Sequence, residues 1–159
     1  MTMVKYIVNH ITEICSEIEM IDIKKSYLLH TLKKVTTYYG YMLNENQNLV
    51  LNTIISKTNK NIIIDFYNPK IMSMINNLVT KDLNIQIIFG KLMYKIDSNI
   101  SYICSFINLL TACGMNKNTF AENIGQVLLP ASKAIELIMI QTDDVYFKHC
   151  IINFFYIIH

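Results

Sequence analysis

Apolar residues recur at helical spacing along most of the chain. Between residues 4 and 18 they repeat every three or four positions, while Lys5, Asn9 and Glu13 fall on the other side, which predicts an amphipathic helix. The pattern breaks over residues 20–25, resumes at Tyr27 and runs to Gly40. Because glycine commonly follows the last turn of a helix, we expect a second helix that ends there.

The middle of the chain alternates polar connectors with short apolar segments. The polar run 44–48 predicts a connector, and the apolar positions from Leu49 to Ile55 predict a third helix. Residues 62–64 are three isoleucines, whose β-branched side chains favour strands. No segment with hairpin chemistry lies nearby to pair with them, so we favour a helix. Pro69 predicts the start of the next helix, and further helices are expected over residues 83–94, 99–113, 119–128, 132–141 and 145–158.

The segment 98–116 carries no charge and approaches the length that would span a bilayer. It contains polar residues that suit lipid poorly, so the sequence predicts a buried core helix and no transmembrane segment. Among them are Ser98, Asn99, Ser101, Ser105, Asn108 and Thr111. Two prolines and four glycines, with no linker rich in either, are typical of a helical bundle. We therefore expect one compact all-α domain of seven to nine helices over residues 1–159.

Composition narrows the function classes. The chain is 52% hydrophobic and 16% charged, which predicts a folded core. A net charge of +2, with all 14 basic residues being lysine, provides no broad cationic field for nucleic acid. The N-terminus lacks the continuous apolar stretch of a signal peptide. The four cysteines, Cys15, Cys104, Cys113 and Cys150, lack CxxC spacing, so we expect buried, reduced thiols in a cytoplasmic protein.

No catalytic or cofactor pattern stands out in the sequence. His149 and Cys150 are adjacent, so on a helix their side chains diverge and do not jointly bind a metal. Ser-His-Asp, paired-carboxylate and glycine-rich phosphate arrangements are not evident. We therefore expect neither intrinsic enzymatic chemistry nor a cofactor or metal.

Residues 98–130 combine a long apolar helix, a polar turn and a short helix closed by Asn123, Val127 and Pro130. Residues 123–130 fit, position by position and without a gap, the Asn-Leu-Ala-x-Val-Phe-Gly-Pro segment of a Rho-type GTPase-activating (RhoGAP) domain. The chain thus resembles the second half of that domain. Weaker similarity covers residues 7–19, 60–71, 95–99 and 146–158, so the resemblance implies a RhoGAP-like helical fold from about Ile7 onward.

The resemblance implies binding to a Rho-family small GTPase. RhoGAP domains accelerate GTP hydrolysis with an inserted arginine, which contributes roughly 10³–10⁵ in rate, and this chain contains no arginine. Aligned from Glu19 through a loop over residues 22–30, the arginine position falls on His30, whereas matching Tyr27 to the family tyrosine puts Leu28 there. Lys60 and Asn123 match positions that help to meet the GTPase. The resemblance therefore implies partner-binding residues His30, Lys60 and Asn123, with GTPase-activating activity weak or lost.

Other interpretations of the same residues stay open. His30 also suits an exposed loop or helix position, and Asn123 also suits a residue that braces a helix end. A different function is that of an all-helical interaction module, unrelated to GTPases, that buries a partner helix in an apolar groove. A third is a structural part of a larger assembly, which a large exposed apolar patch would indicate.

Overall fold

Helices dominate the part of the chain that the computed structural model describes, namely residues 6–7, 9–10, 23–38, 41–56, 63–76, 85–88, 91–94, 98–140 and 144–159. Within it, seven helices are α1 (Ile23–Val35), α2 (Asn44–Ile54), α3 (Pro69–Asn76), α4 (Ser98–Gly114), α5 (Thr119–Leu128), α6 (Ala131–Met139) and α7 (Val145–Ile158). Two antiparallel hairpins accompany them, β1 (Thr37–Tyr38) with β2 (Tyr41–Met42) and β3 (Ile85–Ile88) with β4 (Lys91–Tyr94). The predicted compact all-α fold is confirmed, with the hairpins as small additions.

The uncharged helix α4 lies at the centre of the fold. It packs against α1, α2, α3, α5 and α7. Its side chains are buried around most of its circumference, because a helix without charges can bury every face. The prediction of a buried core helix is confirmed. No helix in the described ranges combines the length and apolar character that crossing a membrane requires.

The core extends from α4 into every other helix as one cluster of buried residues. Phe66, in the connection before α3, packs against Phe106 of α4 with ring centroids 6.4 Å apart. Leu32 of α1, Leu137 of α6 and Phe154 of α7 are fully buried in the same cluster. The helices therefore share one core around α4.

The helix that the sequence predicts to end at Gly40 is α1, and it ends earlier, at Val35. Thr37 pairs with Met42 in the β1–β2 hairpin. The Thr36 hydroxyl donates to the Lys33 carbonyl (2.7 Å), which satisfies one of the carbonyls left open at the helix end. The β-branched threonines also favour extended backbone, so the chain leaves the helix before it reaches the glycine.

The prediction of a helix over residues 83–94 is wrong for residues 85–88 and 91–94, which are the ones that the structure describes. Ile85 pairs with Tyr94 and Ile88 with Lys91 in the β3–β4 hairpin. Isoleucine and tyrosine fit a pleated surface. Only Phe89 and Gly90 separate the paired strands in sequence, and short hairpin connections favour glycine.

The polar run 44–48 is not a connector, because α2 begins at Asn44. Residues 63–64 are not helical; Ile64 is buried in an irregular connection before α3, while Ile62 lies outside the described residues. Pro69 opens α3 as predicted, and the Asn68 side chain caps it by accepting from the Lys70 amide (2.9 Å). The predicted bounds of α5 and α7 are confirmed to the residue.

Candidate partner-binding surface

The turn between α4 and α5 reverses the chain within four residues. Asn116 and Lys117 have φ values of 62° and 54°, in the left-handed region, where asparagine is better tolerated than most residues. Asn118 follows in extended backbone and caps α5, because its side-chain oxygen accepts from the Ala121 amide (3.3 Å). The polar segment predicted from the sequence is thus a tight turn with its own cap.

A buried glutamine fixes this turn to α2. The Gln47 amide nitrogen donates to the carbonyl oxygens of Ala112 (2.9 Å) and Met115 (3.0 Å) at the end of α4. Its side-chain oxygen accepts from Asn118 (3.0 Å), whose amide also donates to Asn48 (2.8 Å). Sequence reasoning missed Gln47, because it treated residues 44–48 as a solvated connector.

One side of α5 presents a mixed apolar and amide surface to solvent. Phe120 (37% exposed), Asn123 and Val127 (76% exposed) are spaced by three and four residues, so they lie on one face of the helix. We call these three residues the α5 face. Two apolar side chains flank an amide that can donate and accept hydrogen bonds, which suits contact with a protein partner.

The opposite side of α5 is held tightly against α7. Ile158 fills the space beside Gly125, where an added Cβ would lie 3.0 Å from the isoleucine Cγ2. The Gln126 side chain donates to the Ile158 carbonyl (2.9 Å). A ring nitrogen of His159 lies 3.2 Å from the Leu129 carbonyl oxygen. The α5 face is therefore presented by a firmly packed helix.

His30 lies on α1 and is exposed to solvent. The expectation of a loop over residues 22–30 is wrong from Ile23 onward, because these residues form the first half of α1. Leu28, the position in the other alignment, lies in the same helix and is half-buried. Both alignments therefore place the arginine-finger position on a helix, whose backbone is less free than a loop to extend a side chain into a partner.

The structure describes two of the three partner-binding residues that the resemblance implies. Asn123 is exposed at the centre of the α5 face, and His30 is exposed on α1. Both helices pack against α4. Lys60 lies outside the described residues. Phe120 was not singled out from the sequence, although its spacing from Asn123 and Val127 was visible there.

The arrangement provides a contact surface and no evident chemistry. Within the described ranges, no group of three histidine, cysteine or acidic residues is placed to hold a metal ion. The α5 face contains no titratable group. No protein-family model, curated protein or solved structure matches the chain.

Proposed function

We propose that this chain is a RhoGAP-like domain that binds a Rho-family small GTPase, with GTPase-activating activity weak or lost, in the cytoplasm. The observation that carries the proposal is the exposed α5 face. Asn123, the residue that matches a partner-contacting position, is at its centre. The face lies within the segment 98–130, where the resemblance to RhoGAP domains is closest.

The expected loss of catalysis follows from the chain's basic residues. Transition-state charge in GTP hydrolysis is normally stabilised by an arginine supplied by the activating protein. An imidazole lacks the planar fork of five donors that a guanidinium offers, and lysine supplies only a point charge. With His30 on the regular helix α1, neither its chemistry nor its backbone matches an arginine finger.

Binding is tested with purified Rho-, Rac- and Cdc42-type GTPases loaded with GDP or with a non-hydrolysable GTP analogue. We expect at least one of them to bind, and Asn123→Ala or Val127→Asp to weaken that binding by about tenfold or more. Asn52→Ala removes an exposed asparagine from α2 and serves as the matched control. Failure of all three GTPases to bind, or equal affinity for all variants, would contradict the proposal.

Hydrolysis is tested on the same GTPases in single-turnover assays. The parent chain should accelerate hydrolysis far less than the 10³–10⁵ of an arginine finger. A gain of activity in His30→Arg would support the alignment that begins at Glu19. Acceleration by the parent chain comparable to that of an arginine-bearing activator would overturn the claim of lost activity.

A second candidate function is that of a helix-binding interaction module unrelated to GTPases. It is favoured by the outer side of α7, where Val145, Ile152 and Tyr156 (82% exposed) align at spacings of seven and four residues. An exposed apolar row of this kind is typical of surfaces that receive an amphipathic helix. Ile152→Asp with Tyr156→Asp should leave GTPase binding intact if the α5 face is the docking surface. A module unrelated to GTPases should bind none of them, and loss of GTPase binding in this variant alone would instead put the GTPase contact on α7 and contradict the α5 face.

A further inference from the structure

Lys117 occupies a position in the α4–α5 turn where the backbone favours glycine. Two consecutive residues have positive φ, 62° at Asn116 and 54° at Lys117, as do the two central residues of a type I′ turn. Asn-Gly is the preferred pair for such a turn, because asparagine tolerates the left-handed region and glycine has no Cβ to crowd the backbone. The sequence supplies the asparagine but has lysine in place of the glycine.

No contact within the described part of the chain compensates for this lysine. Its side chain is exposed, and it forms no hydrogen bond or ion pair with another described residue. Lys117 also lies directly before the N-cap of α5, where the positive end of the helix dipole disfavours a cation. Strained backbone of this kind is found mainly where residues contact ligands or partners. The lysine therefore calls for an explanation outside the local structure.

The surrounding structure holds the strained turn on both sides. Gln47 of α2 donates to the Met115 carbonyl (3.0 Å), immediately before the two left-handed residues. Its side-chain oxygen accepts from the Asn118 amide (3.0 Å), immediately after them. Because Gln47 is fully buried, one fixed side chain clamps both ends of the turn. The backbone that presents Lys117 is thus preorganised.

Lys117 borders the α5 face at the N-terminal end of the helix. It precedes Phe120 by three residues, so the Cα atoms of the two lie at most about 11 Å apart. The α5 face carries no charge, and Lys117 is the only charged residue between positions 98 and 121. A partner that covers the α5 face therefore meets a single positive charge from this stretch of the chain, at the edge of an apolar and amide surface.

On the basis of the GTPase binding proposed above, we propose that Lys117 is a specificity-determining contact, whose ammonium pairs with an acidic side chain of the GTPase bound at the α5 face. The partner surface that fits is apolar at its centre and carries a carboxylate at its rim. Charges at the rim of an interface set the rate of encounter and the choice of partner. Lysine is thus present where glycine would give a more stable turn.

The strain is tested by thermal unfolding of the full chain, without a partner. Lys117→Gly should raise the midpoint by about 2–4 °C, because glycine adopts positive φ without strain. Lys70→Gly is the matched control, since Lys70 is an exposed lysine in the first turn of α3 and glycine there should lower the midpoint. A midpoint for Lys117→Gly at or below that of the parent would overturn the proposal.

The contact is tested by the affinity of each variant for the Rho-, Rac- and Cdc42-type GTPases carrying the non-hydrolysable GTP analogue. Lys117→Gly and Lys117→Gln should weaken binding by about fivefold or more, whereas Lys117→Arg keeps the charge and should bind as the parent does. Lys70→Gln, the control, should also bind as the parent does. Added salt should weaken binding less in Lys117→Gln than in the parent, because salt screens the lost charge pair.

The outcomes separate this contact from the proposed function. A GTPase that binds the parent, binds Asn123→Ala more weakly and binds Lys117→Gln with unchanged affinity would overturn the role of Lys117 and leave the α5 face as the docking surface. If none of the GTPases binds the parent, the proposed function fails, and the Lys117 contact fails with it.

Discussion

Gln47→Leu tests whether one buried amide holds the α4–α5 turn in place. Gln47 is fully buried, and its side chain makes three hydrogen bonds, to the carbonyls of Ala112 and Met115 and with the Asn118 amide. Leucine has nearly the same volume and keeps the apolar contacts of the side chain, but it makes none of these bonds. The change therefore isolates their contribution to folding.

The expected loss follows from what the substitution leaves behind. A hydrogen bond contributes about 1 kcal/mol net, and an unsatisfied buried group costs about 1–3 kcal/mol. Three bonds are lost and two carbonyls near the end of α4 lose a donor, while Asn118 keeps its bond to Asn48. We expect the free energy of unfolding to fall by about 3 kcal/mol, a large share of the roughly 5–15 kcal/mol typical of a domain. The midpoint of thermal unfolding should fall by about 6–12 °C.

The assay is urea unfolding followed by circular dichroism, with thermal unfolding as a second measurement. Asn52→Leu replaces an exposed amide on the same helix and should change stability by less than about 0.5 kcal/mol. A free energy of unfolding for Gln47→Leu within about 0.5 kcal/mol of the parent value would refute the reasoning. The turn would then be held by backbone conformation and the Asn118 cap, without Gln47.

Three further substitutions examine packing, capping and charge, each by urea unfolding. Gly114→Ala should lower the free energy of unfolding by about 1–3 kcal/mol, because the added methyl group meets the Ile158 side chain. Ile158→Val in the same chain should recover part of that loss. If the two substitutions changed the free energy of unfolding additively, the result would contradict the contact. Asp144→Ala should lose about 1 kcal/mol as α7 loses its N-cap, and an unchanged stability would show that the cap is dispensable. Lys133→Met should lose less than about 1 kcal/mol, since its partner Glu136 is 55% exposed; a larger loss would indicate a stronger ion pair than its exposure implies.

The last part of the chain was the most predictable from sequence. The bounds of α5 and α7 follow from apolar spacing together with Asn118 and Asp144, whose side chains accept hydrogen bonds from the first turn of each helix. The burial of α4 follows from its lack of charge. In these segments, local preference and tertiary packing favour the same structure.

The early part was less predictable, because its local signals are ambiguous or conflict with packing. The inner face of α2 is formed by Gln47, Val50, Leu51 and Ile54, which have helical spacing. A search for apolar residues overlooks Gln47, because this side chain is buried only where Ala112 of α4 and Asn118 of the turn satisfy its hydrogen bonds. The β3–β4 segment is short, and its isoleucines fit a helix or a strand equally well by pattern alone.

The candidate surface could be predicted in outline. Asn123 was singled out by its place in the motif, and the structure exposes it between Phe120 and Val127. The helical position of His30 follows from the apolar spacing that resumes at Tyr27, whereas the loop implied by the resemblance is wrong from Ile23 onward.

The most direct test of the account is the affinity of the purified chain for Rho-family GTPases carrying a non-hydrolysable GTP analogue, measured with the parent and with Asn123→Ala. The account predicts a complex with at least one of these GTPases, and an affinity about tenfold or more weaker in the variant. Absence of any complex, or a complex of unchanged affinity in Asn123→Ala, would contradict it.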